Sequence, residues 1–182
     1  MVDVIYPFGR HGDRDLDDLI VDAARAARAF GHRRKDVDGI WLGNLNGGFT
    51  RDIFASSLVS QADPALRRKP ATQVENACAS GSAAIYAACN AIESGRVHIA
   101  LVVGAEKMTA VAGAETTRIL GDCGYVKESG FYPAGFPGIF AQLALDYFRR
   151  WGTSPKRLPA CGQEPCQWGP ESVGTYAQGP GL

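Results

Sequence analysis

The sequence has little that points to a nucleic-acid-binding or membrane protein. Its 19 basic residues are balanced by 19 acidic ones, so the formal net charge is zero. A surplus of positive charge is what attracts nucleic acids and anionic membranes, and we therefore expect neither partner. No apolar run reaches the roughly 20 residues that span a bilayer. The amino terminus, charged at Asp3, lacks the layout of a signal peptide, and these absences together predict a cytoplasmic protein.

The cysteines do not form the sequence patterns that are typical of disulfide frameworks or metal sites. The five cysteines are odd in number and irregularly spaced, whereas a disulfide framework needs pairs. Cys161 and Cys166 have neither a second pair nor a nearby histidine to complete a zinc site. We predict no metal site, and we expect reduced thiols in a reducing compartment.

The most informative stretch is Gln73–Ile85, where an extended segment meets a run of small residues. Ala71 to Val74 is typical of a strand, and the chain beyond Cys78 consists almost only of Ala, Ser, Ile, Tyr and Cys. This pattern predicts a strand-to-helix elbow with a thiol at its tip, held partly out of water by a deeply placed helix. The unpaired amides and the dipole of a helix start stabilise a thiolate or an oxyanion there. The thiolate is the reactive form of cysteine, so the elbow favours a nucleophilic Cys78.

Cys78 also has an ordinary structural interpretation. Cysteine is among the most buried residue types and usually packs as a small hydrophobe. Cys89, eleven residues later on the same predicted helix with no turn before it, is expected to do so. A catalytic role for Cys78 therefore needs a second argument.

A resemblance to a known family, carried by two motifs, supports the catalytic role. The elbow reads Glu-Asn-Ala-Cys-Ala-Ser-Gly-Ser-Ala-Ala from Glu75, and the segment from Val102 to Met108 reads Val-Val-Gly-Ala-Glu-Lys-Met. Over roughly residues 5–158 the sequence resembles the amino-terminal half of the thiolases, most closely the acetyl-CoA acetyltransferases related to sterol-carrier-protein-x thiolases. The resemblance implies that Cys78 is the catalytic residue, taking the acyl group from an acyl-CoA thioester. It assigns no substrate-binding residue, and it implies no cofactor, because coenzyme A enters as the thioester substrate.

Strand and helix patterns alternate along the chain, which predicts a layered α/β fold. Apolar spacing predicts helices over Asp15–Phe30 and Ile139–Trp151. A further helix is expected over Arg51–Gln61, ended by Asp63-Pro64. A strand is expected over Lys35–Asn44, and the apolar run Val97–Gly104 is typical of a buried central strand.

The resemblance extends this to a thiolase-like layered fold, amino-terminal half only, with a mixed sheet and a buried nucleophile helix. Residues 1–108 would form the core, and residues 109–158, which show no sustained period before the last helix, would correspond to the loop domain of thiolases. Residues 159–182 would be an aberrant tail.

The tail resembles neither the family nor a regular element. When the last two bases of each codon are joined to the first base of the next, Gln163, Glu164 and Pro165 permit Lys, Asn and His, and Trp168 forces Gly. These residues resemble the family again, which favours a tail translated out of frame from about Pro159 and a truncated thiolase. Sequencing the gene for an overlapping thiolase reading frame tests this hypothesis.

Two polar segments have two interpretations each. The loop Leu45–Phe49 follows a predicted strand, where open α/β sheets place ligands, but it could equally be a connector. The basic cluster Arg67–Lys69 could attract a phosphate of coenzyme A, although such clusters are usually solvated.

In thiolases a histidine that activates the nucleophile and a second cysteine that moves the substrate proton come from the carboxyl-terminal half. His11, His32 and His98 lie in no matching motif, and we expect them to be solvated. The most that the resemblance implies for this chain is acylation of Cys78. The partner would be either a second copy, in a homodimer through Ala71–Glu75, or the missing carboxyl-terminal half. Two alternatives remain: a β-ketoacyl-synthase-like condensing enzyme, and a non-catalytic thiolase-like scaffold subunit.

Overall fold

The computed structural model describes residues 11–27, 33–125, 127 and 135–152, and these form alternating helices and strands. Their bounds are α1 Leu16–Ala26, β1 Gly39–Gly43, β2 Ala71–Val74, α2 Ser80–Glu93, β3 Ala100–Gly104, α3 Gly113–Gly121 and α4 Gly135–Trp151. The described residues fall into two compact units, His11–Ala110 and the part from Val111 onward. The predicted tail, residues 159–182, lies outside the described residues.

The first unit is built on a three-stranded parallel sheet in the order β2-β1-β3. Gly43 at the end of β1 is level with Val74 of β2 and Gly104 of β3, so the carboxyl ends of all three strands meet at one edge. This arrangement confirms the predicted α/β class. Among the described strands β1, rather than the strand at Val97–Gly104, occupies the centre.

The core of this unit lies between α1 and the sheet. The apolar face of α1 is buried through Leu16, Ile20 and Ala24, as the helical spacing predicts. The side chains that complete the cluster come from the strands and the segments between them: Val37, Ile40, Leu42, Ala55, Val59, Leu66 and Val103. Burying this apolar surface is what holds α1 on the sheet.

The segment predicted as a helix over Arg51–Gln61 forms a 3-10 helix over Ala55–Gln61. Ser57 Oγ donates to Phe54 O and Ser60 Oγ donates to Ser57 O, both at 2.8 Å. Each hydroxyl bonds to a carbonyl three residues back, which competes with regular α-helical hydrogen bonding. The predicted helix is therefore present, but it is of the 3-10 type and begins four residues later than expected.

Asp38 joins the starts of β1 and β3. Its Oδ2 accepts hydrogen bonds from the backbone N–H groups of His98 at 2.8 Å and Ile99 at 3.1 Å. These bonds, the one from His98 first, lower the pKa of Asp38 below its usual value. The His98 side chain itself is exposed, as expected for a solvated histidine.

The second unit contains α3 packed against α4. The sequence did not predict α3, because Ile119 is its only buried apolar side chain, and ion pairs from Arg118 to Glu115 and Asp122 line its exposed surface. Helix α4 begins at Gly135, four residues before the predicted start. Within the described residues, no helix is both long and apolar enough to cross a bilayer.

Candidate active site

The structure places Cys78 in a tight turn between β2 and α2. Strand β2 ends at Val74, the 3-10 turn Ala77–Ala79 follows, and α2 begins at Ser80. Cys78 is the middle residue of that turn, and it is exposed. The predicted elbow is therefore present, but the thiol is exposed and not held partly out of water as expected.

The backbone of this turn has an unusual conformation. Ala77 has a φ of 47°, in the left-handed region that residues with a side chain rarely adopt. The N–H of Ala77 donates to the carboxylate of Glu75, and the N–H of Ala79 donates to Asn76 O at 2.9 Å. Cys78 thus lies directly after a strained residue whose conformation is fixed by local hydrogen bonds.

Helix α2 lies on β1 through small residues. Ser80, Ala84 and Ala88 are its buried positions, spaced four residues apart on one face. The opposite face is exposed and carries Tyr86 and Ile85, so the expected burial of the helix holds for the sheet-facing side. The small side chains therefore serve the close approach of helix and strand that the sequence suggested.

Helix α2 approaches the sheet closely at Gly43. A Cβ built on Gly43 would lie 2.8 Å from the Cα of Gly81 and 2.8 Å from Ser80 O. Both are backbone atoms, which cannot move aside as the tip of a flexible side chain can. Gly43 therefore sets how deeply the first turn of α2, and with it the adjacent Cys78, rests on the sheet.

A polar network runs along the carboxyl ends of the three strands. Each strand end contributes one side chain to it. Gln73 Oε1 accepts from the N–H of Ala55, and Gln73 Nε2 donates to Asn44 Oδ1, each at 3.2 Å. Asn44 Nδ2 donates to Glu106 Oε1 at 3.1 Å and to Ala105 O at 2.8 Å. Sequence reasoning gave no role to these side chains, although each follows or ends a predicted strand.

Glu106 holds the loop that follows β1. Its Oε2 accepts from the N–H of Leu45 at 2.8 Å, and the N–H of Asn46 donates to both carboxylate oxygens at 3.2 and 3.3 Å. Asn46 Oδ1 in turn accepts from the N–H of Thr50, and its Nδ2 donates to Asp52 O. The Gly- and Asn-rich loop is consequently fixed in place beside the carboxyl ends of the strands.

Burial raises the pKa of Glu106 above its usual value, and the hydrogen bonds from Leu45, Asn46 and Asn44 act in the opposite direction. A raised pKa means that the folded protein binds this proton more tightly than the unfolded chain does. The contribution of Glu106 to stability therefore decreases as the pH rises through the interval above the unfolded value of 4.5.

Replacing Glu106 with glutamine is expected to lower the free energy of unfolding by about 1–3 kcal/mol, because an amide nitrogen cannot accept a hydrogen bond, whereas either oxygen of the carboxyl group can accept one in both of its protonation states. The measurement is urea unfolding at several pH values, with the exposed Glu93→Gln as control. The difference in unfolding free energy between the wild type and the variant should be largest at low pH and decrease as the pH rises, since only the wild-type side chain titrates. Equal unfolding free energies for Glu106→Gln and the wild type would contradict this role.

The other candidates from the sequence lie away from Cys78 or outside the described residues. Arg67–Lys69 precedes β2 and so lies at the amino ends of the strands, opposite the edge that bears Cys78. The backbone carbonyl of His11 accepts a hydrogen bond from Lys107 Nζ.

Cys89 is half-buried within α2, while His32 and the pair Cys161 and Cys166 fall outside the described part of the chain. Among the described residues, no group of three acidic, cysteine or histidine side chains is placed to hold a metal ion.

Fold and site together define an α/β protein with a cysteine at the turn between a parallel strand and the helix that follows it. The sequence matches the family model of the thiolase N-terminal domain over residues 8–129. The chain therefore belongs to the thiolase family.

Curated relatives agree with this assignment. The chain is 34% identical over 153 residues to an acetyl-CoA acetyltransferase of Methanocaldococcus jannaschii, a match that covers 83% of this chain and 38% of the relative. It is 32% identical to the acetyl-CoA acetyltransferase of Methanothermobacter thermautotrophicus, covering 83% and 39%. A hydroxymethylglutaryl-CoA synthase of Methanocella arvoryzae is 29% identical, with 80% of this chain and 43% of the relative covered. The matched part is thus less than half the length of each of these relatives.

Proposed function

We propose that this protein is an acyl-CoA acyltransferase of the acetyl-CoA C-acetyltransferase type, in which Cys78 carries the acyl group as a thioester. The observation that carries the proposal is an exposed cysteine in the turn before α2 of a thiolase N-terminal domain. The names of the two acetyltransferase relatives support acetyl-CoA as the acyl donor.

The chemistry follows from the position of the thiol. Sγ of Cys78, as the thiolate, attacks the carbonyl carbon of the acyl-CoA thioester and forms a new C–S bond. Negative charge develops on the carbonyl oxygen, where the amide dipoles of a helix start stabilise it. The bond to the sulfur of coenzyme A then breaks, and coenzyme A leaves as a thiolate that takes up the proton released from Cys78.

Incubating the protein with acetyl-CoA and mapping its peptides by mass spectrometry tests this proposal. We expect one acetyl group on the peptide that contains Cys78, none on those with Cys89 or Cys123, and release of an equal amount of free coenzyme A. A protein that stays unmodified, or one that is acetylated at another cysteine, would contradict the proposal.

We also propose that β2 forms part of a homodimer contact. It lies at an edge of the described sheet, and edge strands present unpaired backbone groups to a partner strand. The segment bonded to Gln73 through Ala55 also carries Ile53 and Phe54, which are 87% and 69% exposed. An apolar surface beside a strand edge is typical of a protein contact.

Replacing Phe54 with glutamate is expected to weaken dimerisation at least about tenfold, because buried aromatic residues contribute strongly to protein contacts. Sedimentation equilibrium measures the change, and Tyr125→Glu, at an exposed aromatic residue of the second unit, is the control. A monomeric wild type, or a Phe54→Glu variant that dimerises as tightly as the wild type, would contradict the dimer.

A further inference from the structure

Ser80, the first residue of α2, carries a buried hydroxyl whose two hydrogen bonds span the turn that holds Cys78. The side chain belongs to a residue that is only 5% exposed. Its Oγ accepts from the N–H of Asn76 at 2.8 Å and donates to Ala77 O at 2.7 Å. One hydroxyl therefore bonds to the backbone of both Asn76 and Ala77, and Cys78 lies between these residues and Ser80 along the chain.

The turn has a reason to need such a closure. The left-handed conformation of Ala77 is unfavourable for a residue with a Cβ, so it persists only where its surroundings enforce it. The hydroxyl of Ser80 binds the carbonyl of that same residue. Releasing it would let the backbone around Ala77 relax toward ordinary conformations and move Cys78.

Ser80 is itself fixed from the other side. Its carbonyl and the Cα of Gly81 lie so close to Gly43 that a single added carbon on β1 would meet both at 2.8 Å. Ser80 thus bonds to the Cys78 turn through its hydroxyl, and its backbone packs against the central strand of the described sheet.

We propose that Ser80 is a positioning residue for Cys78, holding its thiol at one place before the helix start during acyl transfer. The inference rests on the proposed acyltransferase function. Acyl transfer needs the sulfur, the carbonyl carbon and the oxyanion donors in register, and a displacement of about 1 Å can cost roughly a hundredfold in rate. Binding of acetyl-CoA needs no such alignment.

The test compares the wild type, Ser80→Ala and Ser82→Ala in single-turnover acetylation by acetyl-CoA over a range of concentrations. Ser82 is exposed on the same first turns of α2, so its variant makes the same chemical change away from Cys78's support. We expect Ser80→Ala to lower the maximal rate by about 10- to 100-fold while the half-saturating concentration stays within about twofold. Ser82→Ala should match the wild type.

Amide hydrogen exchange provides a second reading that does not depend on acyl transfer. The N–H of Asn76 loses its acceptor in Ser80→Ala, and we expect its exchange to accelerate at least about tenfold while the amides in the middle of α2 keep their protection. Unchanged exchange at Asn76 would overturn the proposal. So would faster exchange throughout α2, because that result would show a general structural role.

The outcomes separate this inference from the function on which it rests. A wild type that is never acetylated overturns the proposed function, while selective loss of protection at Asn76 in Ser80→Ala would still support Ser80 as the residue that holds the Cys78 turn. A wild type that is acetylated, with Ser80→Ala equally fast, supports the function and overturns the positioning role.

Discussion

Replacing Cys78 with serine is expected to abolish transfer of the acetyl group from acetyl-CoA to the protein. A serine hydroxyl is a weak nucleophile unless an adjacent base removes its proton, whereas a cysteine thiolate attacks a thioester directly. We expect the rate of acetylation to fall by more than about a thousandfold, as is usual when a nucleophile is lost. Peptide-resolved mass spectrometry with acetyl-CoA, combined with an assay of free coenzyme A, measures the loss.

The matched controls are Cys89→Ser and Cys123→Ser. Both make the same exchange of sulfur for oxygen, at a half-buried position within α2 and at the end of α3 respectively. Each should keep the acetylation of the wild type, because neither thiol lies in the turn before a helix. Acetylation that survives in Cys78→Ser, or that disappears in Cys89→Ser, would place the nucleophile elsewhere.

Replacing Gly43 with alanine is expected to destabilise the first unit. The added methyl group would meet Gly81 Cα and Ser80 O at 2.8 Å, and relief requires that β1 and α2 move apart. Overpacking of this kind costs about 1–3 kcal/mol. The same displacement carries Cys78 with it, so we expect acetylation to slow by at least about tenfold in the fraction that stays folded.

The structure offers a matched control on the facing element, Gly81→Ala. A Cβ at Gly81 would meet no atom within 4 Å, and alanine is a better helix former than glycine by up to about 1 kcal/mol. This variant should be as stable as the wild type or more so, by urea unfolding. If both alanine variants had the same stability, the close contact at Gly43 would not determine where α2 lies.

The sequence predicted the elements that depend on local pattern. The apolar spacing in α1, the strand before Cys78 and the run of small residues in α2 are properties of consecutive residues, and the structure contains each of them. The type of helix at Ala55–Gln61 and the presence of α3 were harder to predict from the sequence. The segment Ala55–Gln61 is a 3-10 helix in which two serine hydroxyls bond to carbonyls three residues back, and ion pairs along the surface of α3 line a helix with little apolar signal.

At the candidate site, too, the local feature was predicted and the contacts between distant residues were not. The place of Cys78 in a turn before a helix follows from the residues around it, and its catalytic role stays a prediction. The network of Gln73, Asn44 and Glu106 could not be predicted, because its members are separated by up to 62 residues along the chain. They meet only because three parallel strands end level with one another.

The sequence by itself determined the class of fold, the position of the elbow and the family, because each depends on the order of neighbouring residues. The tertiary structure alone decided that the thiol is exposed, that Gly43 sets the depth of α2, and that Ser80 and Glu106 hold the segments beside the strand ends. These are contacts between backbone and side-chain atoms brought together by the pairing of strands, and distances of that kind are not encoded in any local pattern.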